Sequence, residues 1–189
     1  MYKRLFVLLY KLILSPVSTW KILSEGQDRN NDEFYKGYLF PIVGIIALLS
    51  FVGVLFSVKL FEVQLALKIV LKQVMIYGVG FYLVSFILSE YVFPHFQLEK
   101  DKLLSERFTG YASSVIYAVA MIKALFPSLF IVDILGVYTI YIIWTGTAHF
   151  LKIREDLWIK FTIFAGILIM LTPFLLDFLI NLLMPGMRI

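Results

Sequence analysis

Twenty-one consecutive residues, Tyr38 to Val58, carry no charged side chain. A bilayer's hydrocarbon core, about 30 Å thick, is crossed by roughly 20 apolar residues in a helix. A helix is required there because it satisfies its own backbone N–H and C=O groups where no water can. This one run commits the chain to folding against lipid. The rest of the 189 residues agree: 61% are hydrophobic and 16% charged, with a mean hydropathy of +0.90, against roughly 45–50% and about 25% in soluble domains. Eighteen Phe and eleven Tyr exclude a disordered chain, and eleven Gly without a period exclude collagen-like or repeat architectures. The absence of cysteine removes disulfides, thiol nucleophiles and thiolate metal sites. In a membrane chain a net charge of +4 speaks for orientation or anionic headgroups rather than nucleic acid, which is not an expected partner.

Run length predicts an all-α bundle of five membrane-spanning helices. The first is Tyr38 to Val58 and the second Ile69 to Phe93. Phe108 to Leu151 is too long for one crossing, and Pro127-Ser128 divides it into Gly110 to Phe126 and Leu129 to Phe150. Trp158 to Met184 is the fifth, kinked at Pro173 and closed by Pro185-Gly186. Lys and Arg resist translocation, so their distribution sets orientation. Five crossings put twelve on one side, including Lys3, Arg4, Lys11, Arg29, Lys36, Lys100, Lys102 and Arg107. Only Lys59, Lys68, Lys72, Lys123 and Arg188 fall on the other. The expectation is an inner-membrane protein with its N-terminus cytoplasmic and its C-terminus outside.

Residues 1–37 are read as a cytoplasmic region preceding the 38–189 membrane domain. Within Tyr2 to Leu14, Arg4 and Lys11 share a helical face with Ser15 and Ser18, and leucines cover the rest. That pattern predicts an amphipathic helix lying in the interface, its end anchored by Pro16 or Trp20, with Ser24 to Glu33 as a flexible connector. Lys11 interrupts the apolar stretch and no small-residue cleavage site follows, so a cleaved signal peptide is not expected.

The segment Leu8 to Gly26 (LLYKLILSPVSTWKILSEG), followed by Tyr38-Leu39-Phe40-Pro41 at the start of the first span, resembles the Yip family of Ypt/Rab-interacting membrane proteins. The likeness continues through Tyr111 to Pro127 (YASSVIYAVAMIKALFP) and Tyr141 to Lys152 (YIIWTGTAHFLK). The resemblance implies five helices with a cytoplasmic N-terminus. The Asp-Leu-Tyr-Gly-Pro motif of eukaryotic relatives is absent, so the chain is similar to prokaryotic-type members and Rab binding is not implied.

Charges inside a span cost about 2.5–3.5 kcal/mol each at the bilayer centre on insertion scales, and each needs a partner, water or a route to the interface. Lys72, Lys123, Asp133 and Asp177 fall at similar outer-leaflet depth on four different spans, with Gln73 and Asn181 nearby. They are expected either to pair across the bundle and line a cavity open to the outside, or to snorkel to headgroups and cap helix ends. Gly110, Ser114 and Ala118 recur every four residues, the spacing that permits close helix packing in lipid, within one bundle or across a dimer. His95 and His149 with Glu90 and Glu155 sketch a metal site, but no His-Glu-x-x-His motif supports it, so neither metal nor cofactor is expected. Nucleophile-elbow, P-loop and dinucleotide fingerprints are absent, and no enzyme activity is expected. His95 to Phe108, with Glu99, Lys100, Asp101, Lys102, Glu106 and Arg107 around leucines, reads as a short amphipathic helix, a docking surface for a protein partner or a solvated connector. Two functions follow: a non-enzymatic Yip-like scaffold that organises the bilayer or recruits a partner, or a small ion or solute transporter or channel using the charged cluster.

Overall fold

A computed structural model describes residues 2–26, 31–57 and 62–183. Arg29, Lys59, Arg188 and the helix-closing Pro185-Gly186 lie outside the described residues. No strand occurs among the described residues. We number the helices α1 (Tyr2–Leu14), α2 (Pro16–Glu25), α3 (residues 31–57), α4 (Val63–His95), α5 (Lys102–Ala112), α6 (Ser114–Leu125), α7 (Phe130–His149) and α8 (Glu155–Leu183). Four of them, α3, α4, α7 and α8, are long and apolar enough to cross a membrane. α5 and α6 pass that test only together, bent by 49°.

Prolines explain two departures from α geometry. Tyr35–Leu39 and Leu88–Val92 are π-helical turns, each ending two residues before a proline, Pro41 and Pro94. A proline lacks the N–H that would bond four residues back and its ring clashes with that carbonyl, so a widened turn absorbs the misfit. A third π-turn, Met75–Val79, precedes no proline and lies beside the cavity described below. Pro127 ends α6 at Leu125 as expected, but Phe130–Tyr138 is a nine-residue 3-10 helix, far longer than the usual three or four residues.

The helical segment that holds the expected third span begins earlier than Gly110. α5 starts at Lys102, capped by Asp101, whose carboxylate accepts from the Leu104 N–H at 2.9 Å. Ser105, Glu106, Arg107 and Phe108 are buried, so the second half of the segment expected to be an amphipathic surface helix is bundle interior. Only residues 95 to 104 retain the exposed or half-exposed character of a connector, with Phe96 tucked under.

The N-terminal region also differs. α1 and α2 form a hairpin, stapled where Thr19 Oγ1 donates to Lys11 O and Ser15 O at 3.1 and 2.8 Å. α2 packs against α7, and α1 against α2 and α6. α1 buries Leu5, Leu9 and Leu12 while Lys3, Arg4 and Lys11 stay exposed. Trp20, expected as an interfacial anchor, is fully buried, its Nε1 donating to Ile142 O at 3.0 Å. Its ring stacks on Phe108 with centroids 5.7 Å apart and tilts against Phe150 at 5.0 Å, aromatic pairs each worth about 0.5–1.5 kcal/mol beyond their area. Gly146 makes room, since a Cβ there would lie 2.8 Å from the indole. The helical part of the expected connector, Ser24–Glu25 and Asn31–Glu33, belongs to α2 and α3.

The interior is rich in small hydroxyl residues and the surface in large apolar ones. Ser50, Ser85, Thr147 and Thr172 are buried and donate one turn back to Ile46 O, Phe81 O, Ile143 O and Leu168 O. Meanwhile Leu83, Phe86, Phe164, Ile167, Phe174 and Phe178 are exposed. Water would not leave so large an apolar surface uncovered; lipid tails cover it, and helices in lipid meet through small and hydroxyl residues. The chain is an integral membrane protein.

Candidate functional site

One end of the bundle is aromatic, around Trp20, Phe93, Phe108, Phe150 and Phe161. The opposite end carries the expected charged cluster. There Lys72 of α4 meets Asp177 of α8, Nζ to Oδ1 at 2.7 Å. Asn181, one turn beyond Asp177, accepts from Lys72 Nζ at 2.9 Å and donates through Nδ2 to Asp177 Oδ2 at 2.9 Å. The three form a closed ring of charge-assisted bonds. Across the bundle Lys123 of α6 holds both carboxylate oxygens of Asp133, at 2.9 and 2.7 Å. That second pair bridges the Pro127 break and ties the 3-10 segment to α6.

The two pairs flank one cavity of about 400 Å³. Gln73, Lys123, Asp133 and Asp177 contribute polar groups; Val54, Ile69, Ile76, Ile116, Val119 and Met170 make most of its wall. Ile116 lies just past the bend between α5 and α6, and Met170 and Pro173 lie near the middle of α8, so the cavity reaches deep into the bundle. Exposed Pro127, just past the end of α6, marks its mouth. Its shape depends on a close approach of α3 and α6: a Cβ on Gly53 would collide with the Ala124 carbonyl oxygen, so only glycine fits.

Lys72 itself is 13% exposed and Asp177 46%. The ammonium is withdrawn from solvent and relies on its two side-chain partners, whereas the carboxylate also meets the surroundings. Of the six polar residues singled out from sequence, all lie at this end; Lys72 and Asn181 support the wall through Asp177 rather than lining it. Tyr77, which no pattern singled out, projects into the cavity from the third π-turn. A π-turn without a proline is a signal visible only in the structure.

The small-residue positions occupy the interior. Gly110 faces Phe34, whose ring would lie 2.5 Å from an added Cβ; Ser114 is fully buried; Ala118 is half-buried against the core. The bend at Ser113 takes Gly110 and Ala118 off a single straight stripe. Glu90 pairs with Lys100 at 2.6 Å, and no grouping of His, Cys, Asp and Glu suited to a metal occurs among the described residues. Comparisons with protein-family models, curated proteins and solved structures find no match to this chain.

Proposed function

We propose that this protein is a five-span membrane transporter for a small amphiphilic solute, which it binds in the cavity at the charged end. The observation that carries the reading is that the four outer charges pair with one another around a deep cavity instead of reaching outward to headgroups. A volume of about 400 Å³ suits a small molecule. Its apolar wall takes a hydrocarbon or aromatic body, and a rim presenting both ammonium and carboxylate groups takes a zwitterionic or ionised head. A scaffold that only organises the bilayer has no use for such a space. The family resemblance to prokaryotic Yip-type proteins is part of the proposal, and so is the orientation in the cell membrane, with the N-terminus cytoplasmic and the cavity facing outward.

The absence of cysteine makes the test direct. Single cysteines at Ala120 in the cavity, Ser128 beside its mouth and Lys152 at the other end are probed on intact cells with a membrane-impermeant maleimide. We expect labelling at 120 and 128 but not at 152, and protection of 120 by whatever amphiphile is found by mass spectrometry of the purified protein. Labelling of 152 alone would reverse the orientation. An unreactive position 120, together with no co-purifying small molecule, would sink the transporter reading.

A further inference from the structure

Polar groups that the cavity does not use continue from its floor toward the aromatic end. Beneath it lies a second void of about 20 Å³, lined by Thr109, Ser113, Tyr117, Tyr77 and Thr172 among apolar neighbours, room for about one water molecule. Ile76, Tyr77, Ile116 and Pro173 line both spaces, so the floor of one is the ceiling of the other. The Tyr117 hydroxyl hydrogen-bonds with Ser113, and the Tyr77 and Tyr117 rings stand 6.2 Å apart. Thr109 Oγ1 is buried with no hydrogen-bond partner among the described residues, although it borders that void.

One turn before Thr109 on the same helix is Glu106, 1% exposed. Among the described residues it faces the Tyr35 hydroxyl of α3, which donates to its carboxyl group, Tyr82 of α4 and, on its own helix, Lys102, with Nζ 3.9 Å from Oε1. Its Oε2 has no hydrogen-bond partner among the described residues. Lys102 is itself exposed and leads to the surface. An enclosed carboxyl oxygen without a partner is costly, and a water molecule reaching it from the neighbouring hydroxyls relieves that cost. Buried carboxyl groups of this kind, spaced along hydroxyls, make proton relays in membrane proteins. Glu106 and Thr109 on α5, Ser113 at the bend and Tyr117 on α6 recur at intervals of three and four, the last two joined by their hydrogen bond.

We propose that Glu106 is a proton-binding site and that Thr109, Ser113, Tyr117 and Tyr77, bridged by water in the void, carry protons between it and Asp177 and Asp133 in the cavity. The proton leaves the Glu106 carboxyl group toward Thr109, one turn away, whose hydroxyl passes its own proton to the water of the void that it borders. Each hydroxyl accepts one proton and releases one, and a cavity carboxylate is the last acceptor; no other bond is made or broken. The path deepens the transporter reading by coupling it to protons, but the path itself operates without cargo.

The full-length protein is reconstituted in vesicles enclosing a pH-sensitive dye, a pH gradient is imposed, and the membrane potential is clamped with potassium and valinomycin. With no cargo present, we expect the gradient to collapse faster than in protein-free vesicles. Glu106→Gln and Tyr117→Phe should return the rate to the protein-free value, and Thr109→Val should slow the excess rate about a hundredfold, the lower end of the range that positioned proton transfer contributes. Thr162→Ala, a buried hydroxyl off the path, should conduct like the unaltered protein. Far-UV circular dichroism and elution in detergent check folding; if Glu106→Gln does not fold, Tyr117→Phe and Thr109→Val decide. An unaltered protein no faster than empty vesicles, or relay variants as fast as it, would overturn the proposal. Cysteine protection reads cargo binding separately, so either idea can fail alone.

Discussion

The ring formed by Lys72, Asp177 and Asn181 makes an asymmetric prediction. Asp177→Leu strands an ammonium that is only 13% exposed with one neutral partner, Asn181 Oδ1 at 2.9 Å. Breaking a buried pair in this way costs about 3–5 kcal/mol, and the surviving amide bond sets the value near the lower limit, about 3. Lys72→Met strands a carboxylate that is 46% exposed and keeps the Asn181 amide at 2.9 Å; its cost is about 1 kcal/mol. Removing both charges leaves an apolar contact of similar volume, which for buried pairs is close to neutral. The double variant should therefore lie within about 1 kcal/mol of the starting protein, a coupling free energy of about 3 kcal/mol. Reversible unfolding in mixed micelles, titrated with dodecyl sulfate and followed by circular dichroism, measures all four proteins. Additive single costs, or a Lys72→Met as damaging as Asp177→Leu, would refute the claim that the lysine is held by this ring rather than by headgroups.

Gly53→Ala should destabilise by about 1–3 kcal/mol or prevent folding, because its Cβ meets backbone. Gly44→Ala, which meets nothing within 4 Å, should stabilise by about 0.5–1 kcal/mol, and thermal melts in detergent compare the two. With Trp144 and Trp158 changed to Phe, fluorescence from Trp20 should be blue-shifted and shielded from iodide, whereas a tryptophan at the end of a helix lying on the membrane would be quenched. Gln97, at φ 62°, sits in the left-handed region, where glycine carries no Cβ penalty, so Gln97→Gly should stabilise by about 0.5–1 kcal/mol in the same melts.

What was legible from sequence was whatever hydropathy and covalent geometry dictate one residue at a time. Tyr38 to Val58 and Trp158 to Met184 read as helices because lipid leaves no other backbone solution, and Pro127 stops α6 at Leu125, although Pro41, Pro94 and Pro173 are carried inside helices. The start of α5 was illegible for the opposite reason. Lys102, Glu106 and Arg107 look like a solvated run by charge density, and only packing against α4 buries two of them. Trp20 fits an interfacial helix as well as a buried one, since both need one apolar face, and the difference lies in Gly146, 126 positions away, where no side chain fills the space the indole takes. The 3-10 form of Phe130–Tyr138 leaves no mark in hydropathy. The common depth of Lys72, Lys123, Asp133 and Asp177 was readable from span arithmetic, but depth does not say which cation meets which anion.

The pairing that resulted matters for how the cavity could work. Lys72 to Asp177 joins α4 to α8, and Lys123 to Asp133 joins α6 to the 3-10 segment, so each ion pair is also a tie between elements that border the cavity. A solute bearing both signs of charge can replace either tie at little net electrostatic cost, because it supplies the partner that each stranded group loses. A neutral apolar solute cannot, and leaves both ties closed. That predicts tighter binding of an amphiphile carrying both signs of charge than of its neutral counterpart, measurable by equilibrium binding to detergent-purified protein, and loss of that preference when Lys72→Met and Asp177→Leu are combined. Equal affinity for the charged and the neutral amphiphile would refute the claim that a bound solute replaces the ties.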